Sequence, residues 1–109
     1  MQTPAKDGFQ IPAEWEPHAG CLISWPCKED TWCGYYDRAK NAYLEVIKAI
    51  NRFEPVTVLA DVTVIDEARR SVGKEIDVIE VPLDDSWVRD NGPIYVVNEN
   101  RIAMVHFGF

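Results

Sequence analysis

The order of apolar runs along the chain predicts an α/β layered fold, with strands and helices alternating and a hairpin at the end. Three observations carry this reading. Apolar residues from Tyr36 to Phe53 recur at steps of three and four, the period of an amphipathic helix. The run Val56-Thr57-Val58-Leu59-Ala60 follows directly, short and rich in β-branched residues. Two further short apolar runs flank the polar turn Asn98-Glu99-Asn100-Arg101.

Taken in order, the segment from Asp7 to Gly20 is punctuated by Gly8, Pro12, Pro17 and Gly20 and reads as an ordered but irregular arm. Cys21-Leu22-Ile23-Ser24-Trp25 reads as a buried strand stopped by Pro26. A loop through Cys33-Gly34 leads to the first helix, whose apolar stripe comprises Tyr36, Ala39, Tyr43, Val46, Ile47, Ile50 and Phe53, and Pro55 ends it. The strand 56–60 shows little alternation, as expected when both faces are covered. A second helix is predicted over 63–72, with Thr63 and Asp66 as a capping pair, Ile65, Ala68 and Val72 facing inward, and Gly73 at its end. Strands are predicted over 76–81, 94–97 and 102–107, the last two forming the hairpin.

A chain of 109 residues fits one small domain or a piece of a larger one. An apolar content of 47% with 11% aromatic residues excludes a disordered chain. The net charge of -7 argues against nucleic acid and against anionic membranes as partners, and it suits a cationic ligand. No apolar stretch approaches the roughly 18 residues of a membrane span, and Lys6 and Asp7 precede any apolar run, so no signal-peptide core is read. Cys21, Cys27 and Cys33 stand six apart, a spacing unlike a zinc site, with only His18 and His106 to help. They read as reduced thiols of a cytoplasmic protein, and neither metal nor cofactor is expected. The apolar ending Met104-Val105-His106-Phe107-Gly108-Phe109 reads as a cut through a longer domain. Residues 1–109 are therefore taken as the N-terminal part of a single domain with no internal boundary.

The segment richest in chemistry is Asp84-Asp85-Ser86-Trp87-Val88-Arg89-Asp90-Asn91-Gly92-Pro93. It lies between two predicted strands, where α/β sheets place ligand-binding loops. In an extended chain Trp87 and Asp90 point to opposite faces, and Asn91-Gly92-Pro93 supplies the bend that turns them together. A carboxylate beside an indole suits a guanidinium or ammonium ion: the carboxylate accepts two parallel hydrogen bonds and the ring offers a cation–π face. The plainer reading pairs Asp90 with Arg89 or Arg101 and leaves Trp87 in the core; composition alone does not decide between them.

Two motifs do. Asp7-Gly8-Phe9-Gln10-Ile11-Pro12-Ala13-Glu14-Trp15-Glu16-Pro17-His18 and the W-x-R-D-x-G-P segment Trp87–Pro93 resemble the agmatine deiminase family, which is grouped with bacterial-type peptidylarginine deiminases. The resemblance covers essentially the whole chain. It implies a pentein-type fold of five pseudo-symmetric α/β blades, a propeller of which this chain supplies the first blade and part of the second. It implies hydrolysis of agmatine's guanidinium to N-carbamoylputrescine and ammonia, in putrescine biosynthesis, through a cysteine thioether. Asp90 corresponds to an aspartate that holds and polarises the guanidinium and counts among the catalytic residues. Trp87 corresponds to a substrate-binding tryptophan of the same pocket. The nucleophilic cysteine, the histidine, a glutamate and the second aspartate fall beyond Phe109 in the family pattern, so the fragment alone is expected to be inactive. The family suggests a homo-oligomer. Peptidyl-arginine is the alternative substrate, and a non-catalytic module binding a cation or a partner protein is the alternative outside enzymes.

The remaining candidates carry plainer expectations. Cys33, in a loop, is the best placed of the three thiols, yet all three read as structural or incidental. His18 and His106 read as packing or hydrogen-bonding residues. Arg89 is expected to orient Asp84, Asp85 or Asp90 through a salt bridge. Trp15, Trp25 and Trp32 read as core or pocket wall.

Overall fold

A computed structural model of the chain describes residues 2–107. They form two compact units: a larger one, His18–Val88, and a smaller one made of the described residues up to Pro17 and from Arg89 on.

In the larger unit β1 (Cys21–Ser24), β2 (Val56–Ala60) and β3 (Asp77–Glu80) form a parallel sheet in that order. Parallel neighbours cannot be joined by a tight turn, so the chain must return along the sheet between strands. It does so through α1 (Tyr36–Asn51) and α2 (Ile65–Val72). The register Ile23↔Val58↔Val78 aligns one face of all three strands. On that face Val56, Val58 and Ala60 meet Ile47 of α1 and Ile65 and Ala68 of α2 in one buried cluster closed by Trp25 and Ile76. Complete burial of a side chain such as Val58 or Ile47 stabilises the fold by about 1.5–3 kcal/mol each.

Burial along β2 alternates, with Thr57 and Leu59 only half-buried, where the unbroken apolar run had implied cover on both faces. Both helices lie against the Val56-Val58-Ala60 face, which accounts for the difference.

The helical stripe is also narrower than its apolar pattern. Ala39 and Ile47 are buried and Ile50 packs on the core, but Val46 is exposed and Phe53, 85% exposed, lies past the end of α1. Leu44 packs on the core instead. Successive residues turn about 100°, so Leu44 flanks Ile47 at about 60° while Val46 stands about 100° away on the other side. Two contacts fix α1. The Tyr36 hydroxyl donates to the Pro26 carbonyl at 2.8 Å, and Lys40 Nζ meets Glu67 Oε1 of α2 at 2.6 Å. The bond to Glu67 raises the Lys40 ammonium's pKa above its ordinary value, with Asp37 adding to it and burial opposing.

The second helix starts at Ile65, and its N-cap, Val64, makes no side-chain cap. Thr63 lies one residue before the cap position, and its N–H and hydroxyl donate to Asp61 Oδ2, at 3.1 and 2.6 Å. Gly73 ends it as expected, at φ 84°, a backbone region where a side chain would be strained. The third strand is shorter than predicted: Ile76, buried, lies just before it and Val81, half-buried, just after it.

In the smaller unit β4 (Ile94–Val97) and β5 (Ile102–Val105) pair antiparallel, with Ile94 opposite Val105 and Val97 opposite Ile102. The Asn98 side chain closes the turn: its Oδ1 accepts the N–H groups of Asn100 and Arg101 at 3.0 and 2.9 Å. The opening arm is more regular than its glycines and prolines suggested. Gln10 and Val97 exchange two backbone hydrogen bonds of 2.9 Å, and the Arg101 guanidinium lies 5.4 Å from the centre of the Phe9 ring. The predicted last strand stops at Val105; of the apolar ending, Gly108 and Phe109 lie outside the described residues.

Candidate functional site

Parallel α/β sheets gather ligands at the carboxyl ends of their strands. In the larger unit those ends are Ser24, Ala60 and Glu80, and the segment leaving β3 is tied to the other two strands there. Val81 N–H continues the ladder to the Ala60 carbonyl at 3.0 Å. Pro82 has no N–H to offer. At Leu83 a side chain takes over from the backbone: Leu83 N–H donates to Asp61 Oδ1 at 3.1 Å. The Leu83 carbonyl in turn accepts the Cys27 thiol at 3.7 Å, so one residue is held from the segments that leave β2 and β1.

The next residues are fastened as well. Asp84 meets Lys28 Nζ at 3.5 Å, and Asp85 Oδ1 accepts the Ser86 N–H at 2.7 Å. The Tyr43 hydroxyl on α1 donates to Ser86 Oγ at 3.2 Å, and the Trp32 ring packs edge-on against Tyr43 with centroids 5.9 Å apart. Ser86 is buried, whereas Trp87, the next residue, is 60% exposed. A braced stalk therefore ends in an open indole.

The segment then turns helical at α3 (Val88–Asn91), inside what the sequence marked as a loop between two strands. Gly92-Pro93 follow the last helical residue, so they terminate this turn. Asp90 sits on α3, exposed. Among the described residues its side chain has no hydrogen bond or ion pair. The plainer pairing with Arg89 or Arg101 is not formed. Arg89 Nη1 meets Glu14 Oε1 at 2.8 Å, which also corrects its expected partner among Asp84, Asp85 and Asp90, and Arg101 lies over Phe9.

Among the described residues Cys21, Cys27 and Cys33 form no disulfide. Burial pushes the Cys27 thiol's pKa up, and the negative charges of Asp61, Asp85 and Asp84 push it further, so Cys27 stays protonated. Cys21 is half-buried in β1, and Cys33 is exposed in a turn with a left-handed backbone at φ 45°. His18 Nδ1 lies 3.1 Å from Glu54 Oε2, and His106 falls one residue past β5. Trp25 is core as expected and Trp32 half-buried, but Trp15 is exposed. Among the described residues no three metal-ligating side chains gather into a site, and no helix is long and apolar enough to cross a membrane.

Asp61 escaped the sequence reading. Its signal was a carboxylate directly after a buried parallel strand, in Ala60-Asp61, the position where such sheets present functional groups. A shallow recess lined by Arg69, Arg70, Lys74 and Val78 opens at the start of β3, at the other end of the strand from this loop.

Comparison with known proteins gives one answer. The profile of the Porphyromonas-type peptidyl-arginine deiminase family matches residues 10–109. An agmatine deiminase of Pseudomonas aeruginosa is 43% identical over 109 residues, covering 98% of this chain and 30% of that protein. One of Medicago truncatula is 40% identical over 116 residues, covering 98% of this chain and 31% of that protein. The solved structure of Enterococcus faecalis agmatine deiminase superposes with a TM-score of 0.89 at 36% identity, over 95% of this chain and 29% of that one. The chain spans 26–31% of the length of the curated relatives it matches. The resemblance carried by Trp87–Pro93 and by the opening arm thus holds, and the chain belongs to the Porphyromonas-type peptidyl-arginine deiminase family.

Proposed function

We propose that this chain is part of an agmatine deiminase and contributes one carboxylate, Asp90, and one aromatic wall, Trp87, to its guanidinium pocket. The observation that carries this is Asp90 itself: within the family's W-x-R-D-x-G-P segment its carboxylate is exposed and has no partner among the described residues. An exposed aspartate is free to accept two parallel N–H bonds from a planar cation. Trp87 presents an open indole, and a cation over such a ring gains about 0.5–2 kcal/mol as desolvation increases.

The chemistry divides accordingly. A guanidinium is resonance-stabilised and keeps its proton, so water attacks it poorly. A thiolate from a part of the protein outside this chain adds to the guanidinium carbon, and ammonia leaves after proton transfer. Water then cleaves the amidino-thioether, returning the thiol and giving the ureido product, N-carbamoylputrescine. Asp90 binds, orients and keeps the carbon electron-poor; it forms no covalent bond. The protonated Cys27 is unsuited to the nucleophile's role.

In this reading both units are parts of one catalytic domain, a five-bladed α/β propeller in which β1–β3 with their helices form the first blade and β4–β5 begin the second. The intact protein is cytoplasmic, homo-oligomeric and serves putrescine synthesis, and these 109 residues alone release no ammonia. Peptidyl-arginine is the second candidate substrate, because the matching family is described by that activity. The test is ammonia release by the full-length protein from agmatine and from an arginine-containing peptide, with and without Asp90→Asn. Turnover of agmatine that vanishes with Asp90→Asn is expected. Undiminished turnover by Asp90→Asn overturns the assignment, and preference for the peptide overturns the substrate.

A further inference from the structure

We infer that Asp61 is a positioning residue for the loop that carries Trp87, acting through the Leu83 amide; this rests on the reading of Trp87 as a wall of the substrate pocket.

The geometry is specific. Asp61 is the first residue after β2, and both its oxygens are engaged. Oδ2 takes the Thr63 N–H and hydroxyl, at 3.1 and 2.6 Å, which locks the carboxylate against its own turn. Oδ1 reaches across 22 positions of sequence to the Leu83 N–H at 3.1 Å. The β2–β3 ladder has just ended there, with Val81 bonded to Ala60, and Pro82 cannot extend it. Asp61 therefore does with a side chain what the backbone can no longer do: it fastens the exit of β3 to the exit of β2, four residues before Trp87. The Cys27 thiol on the Leu83 carbonyl holds the other side of the same residue, and Tyr43 holds Ser86.

A neutral turn-forming residue at this position would make at most part of this set. The Thr63 hydroxyl, the Leu83 amide and the Thr63 amide lower the pKa of the Asp61 carboxyl, consistent with an anion held by three donors. Misplacing a binding group by about 1 Å can cost up to about 100-fold in rate, so a loose stalk under Trp87 would be felt at the substrate.

The test uses the full-length protein and the variants Asp61→Ala, Asp61→Asn, Thr63→Val and Asp90→Asn. Agmatine turnover and deuterium exchange of peptides covering 81–88 and 36–51 are measured on each. Asp61→Ala is expected to raise KM for agmatine about tenfold with kcat within about threefold of wild type. It is also expected to speed exchange over 81–88 and leave α1 unchanged. Asp61→Asn, whose single amide oxygen can serve only one side, falls between Ala and wild type, and Thr63→Val gives a smaller change in the same direction. Unchanged exchange over 81–88 in both Asp61 variants overturns the inference, as does exchange that rises equally in α1. If Asp61→Ala does not fold, Asp61→Asn and Thr63→Val carry the same two readouts. Failure of the parent reading looks different: Asp90→Asn then retains full turnover, or the wild type has none, whatever Asp61 does to the loop.

Discussion

The Tyr43 hydroxyl donates to Ser86 Oγ at 3.2 Å, so a residue that helical periodicity assigns to the core also braces the residue before Trp87. Tyr43→Phe keeps the ring packed on Trp32 and removes only that bond. Ser86 is buried, so its hydroxyl loses a partner, at about 1–3 kcal/mol. The full-length variant is expected to melt a few degrees lower and to show a raised KM for agmatine with little change in kcat. An unchanged KM alongside a lowered melting temperature would show that this brace serves the fold alone.

Ile47 is the fully buried member of α1, set against the Val56-Val58-Ala60 face of β2. Ile47→Ala should cost about 2–5 kcal/mol, from lost transfer energy and the cavity left behind. Val46→Ala, one position away and exposed in this structure, should cost much less. Urea unfolding of the two full-length variants measures the difference. Equal losses would mean that Val46 is covered in the intact protein, and that the wider stripe of the sequence pattern was the better guide.

The elements were legible where local chemistry alone decides. The bounds of β2 and β4 came from runs of β-branched and aromatic residues, with Pro55 before the first and the polar turn from Asn98 after the second. The helix α1 came from its period and Pro55, and Gly73 marked the end of α2. What depended on distant partners was not legible. Thr63 looked like a helix cap, whereas its N–H and hydroxyl go to Asp61, a carboxylate whose other oxygen is held by Leu83, 22 residues further on. The arm around Gln10 looked irregular because its partner strand lies at Val97. Trp87 and Asp90 were found through the motif; their exposure and the one-turn helix that carries Asp90 were not readable from it.

The Arg89–Glu14 contact is short, 2.8 Å, yet both side chains are largely exposed. Pairs of this kind contribute about 0–1 kcal/mol, because water solvates the separated ions nearly as well. Arg89→Ala in the full-length protein should therefore shift the melting temperature by only a degree or two, and raising the salt to 1 M should erase even that. Calorimetry at low and high salt checks this. A loss of several degrees that persists in 1 M salt would show that Arg89 is buried and paired in the intact protein.

The three thiols should separate by reactivity. Thiolate, not thiol, is what iodoacetamide attacks. Burial and then the charges of Asp61, Asp85 and Asp84 raise the Cys27 pKa, while Cys33 is exposed. In the native full-length protein Cys33 should be carbamidomethylated first near pH 7.5, and Cys27 should require a higher pH. The sign follows from linkage. A raised folded-state pKa means that the folded state holds this proton more tightly than the unfolded chain, so the contribution is complete below the unfolded thiol's pKa. It is lost as pH rises through the folded value, when a thiolate would face three carboxylates and the Leu83 carbonyl it had served as donor. Alkylation followed by peptide mass spectrometry across pH 7–10 reads the order directly. Modification of Cys27 ahead of Cys33 at neutral pH would show that its surroundings are positive rather than negative, and would reopen Cys27 as a reactive group.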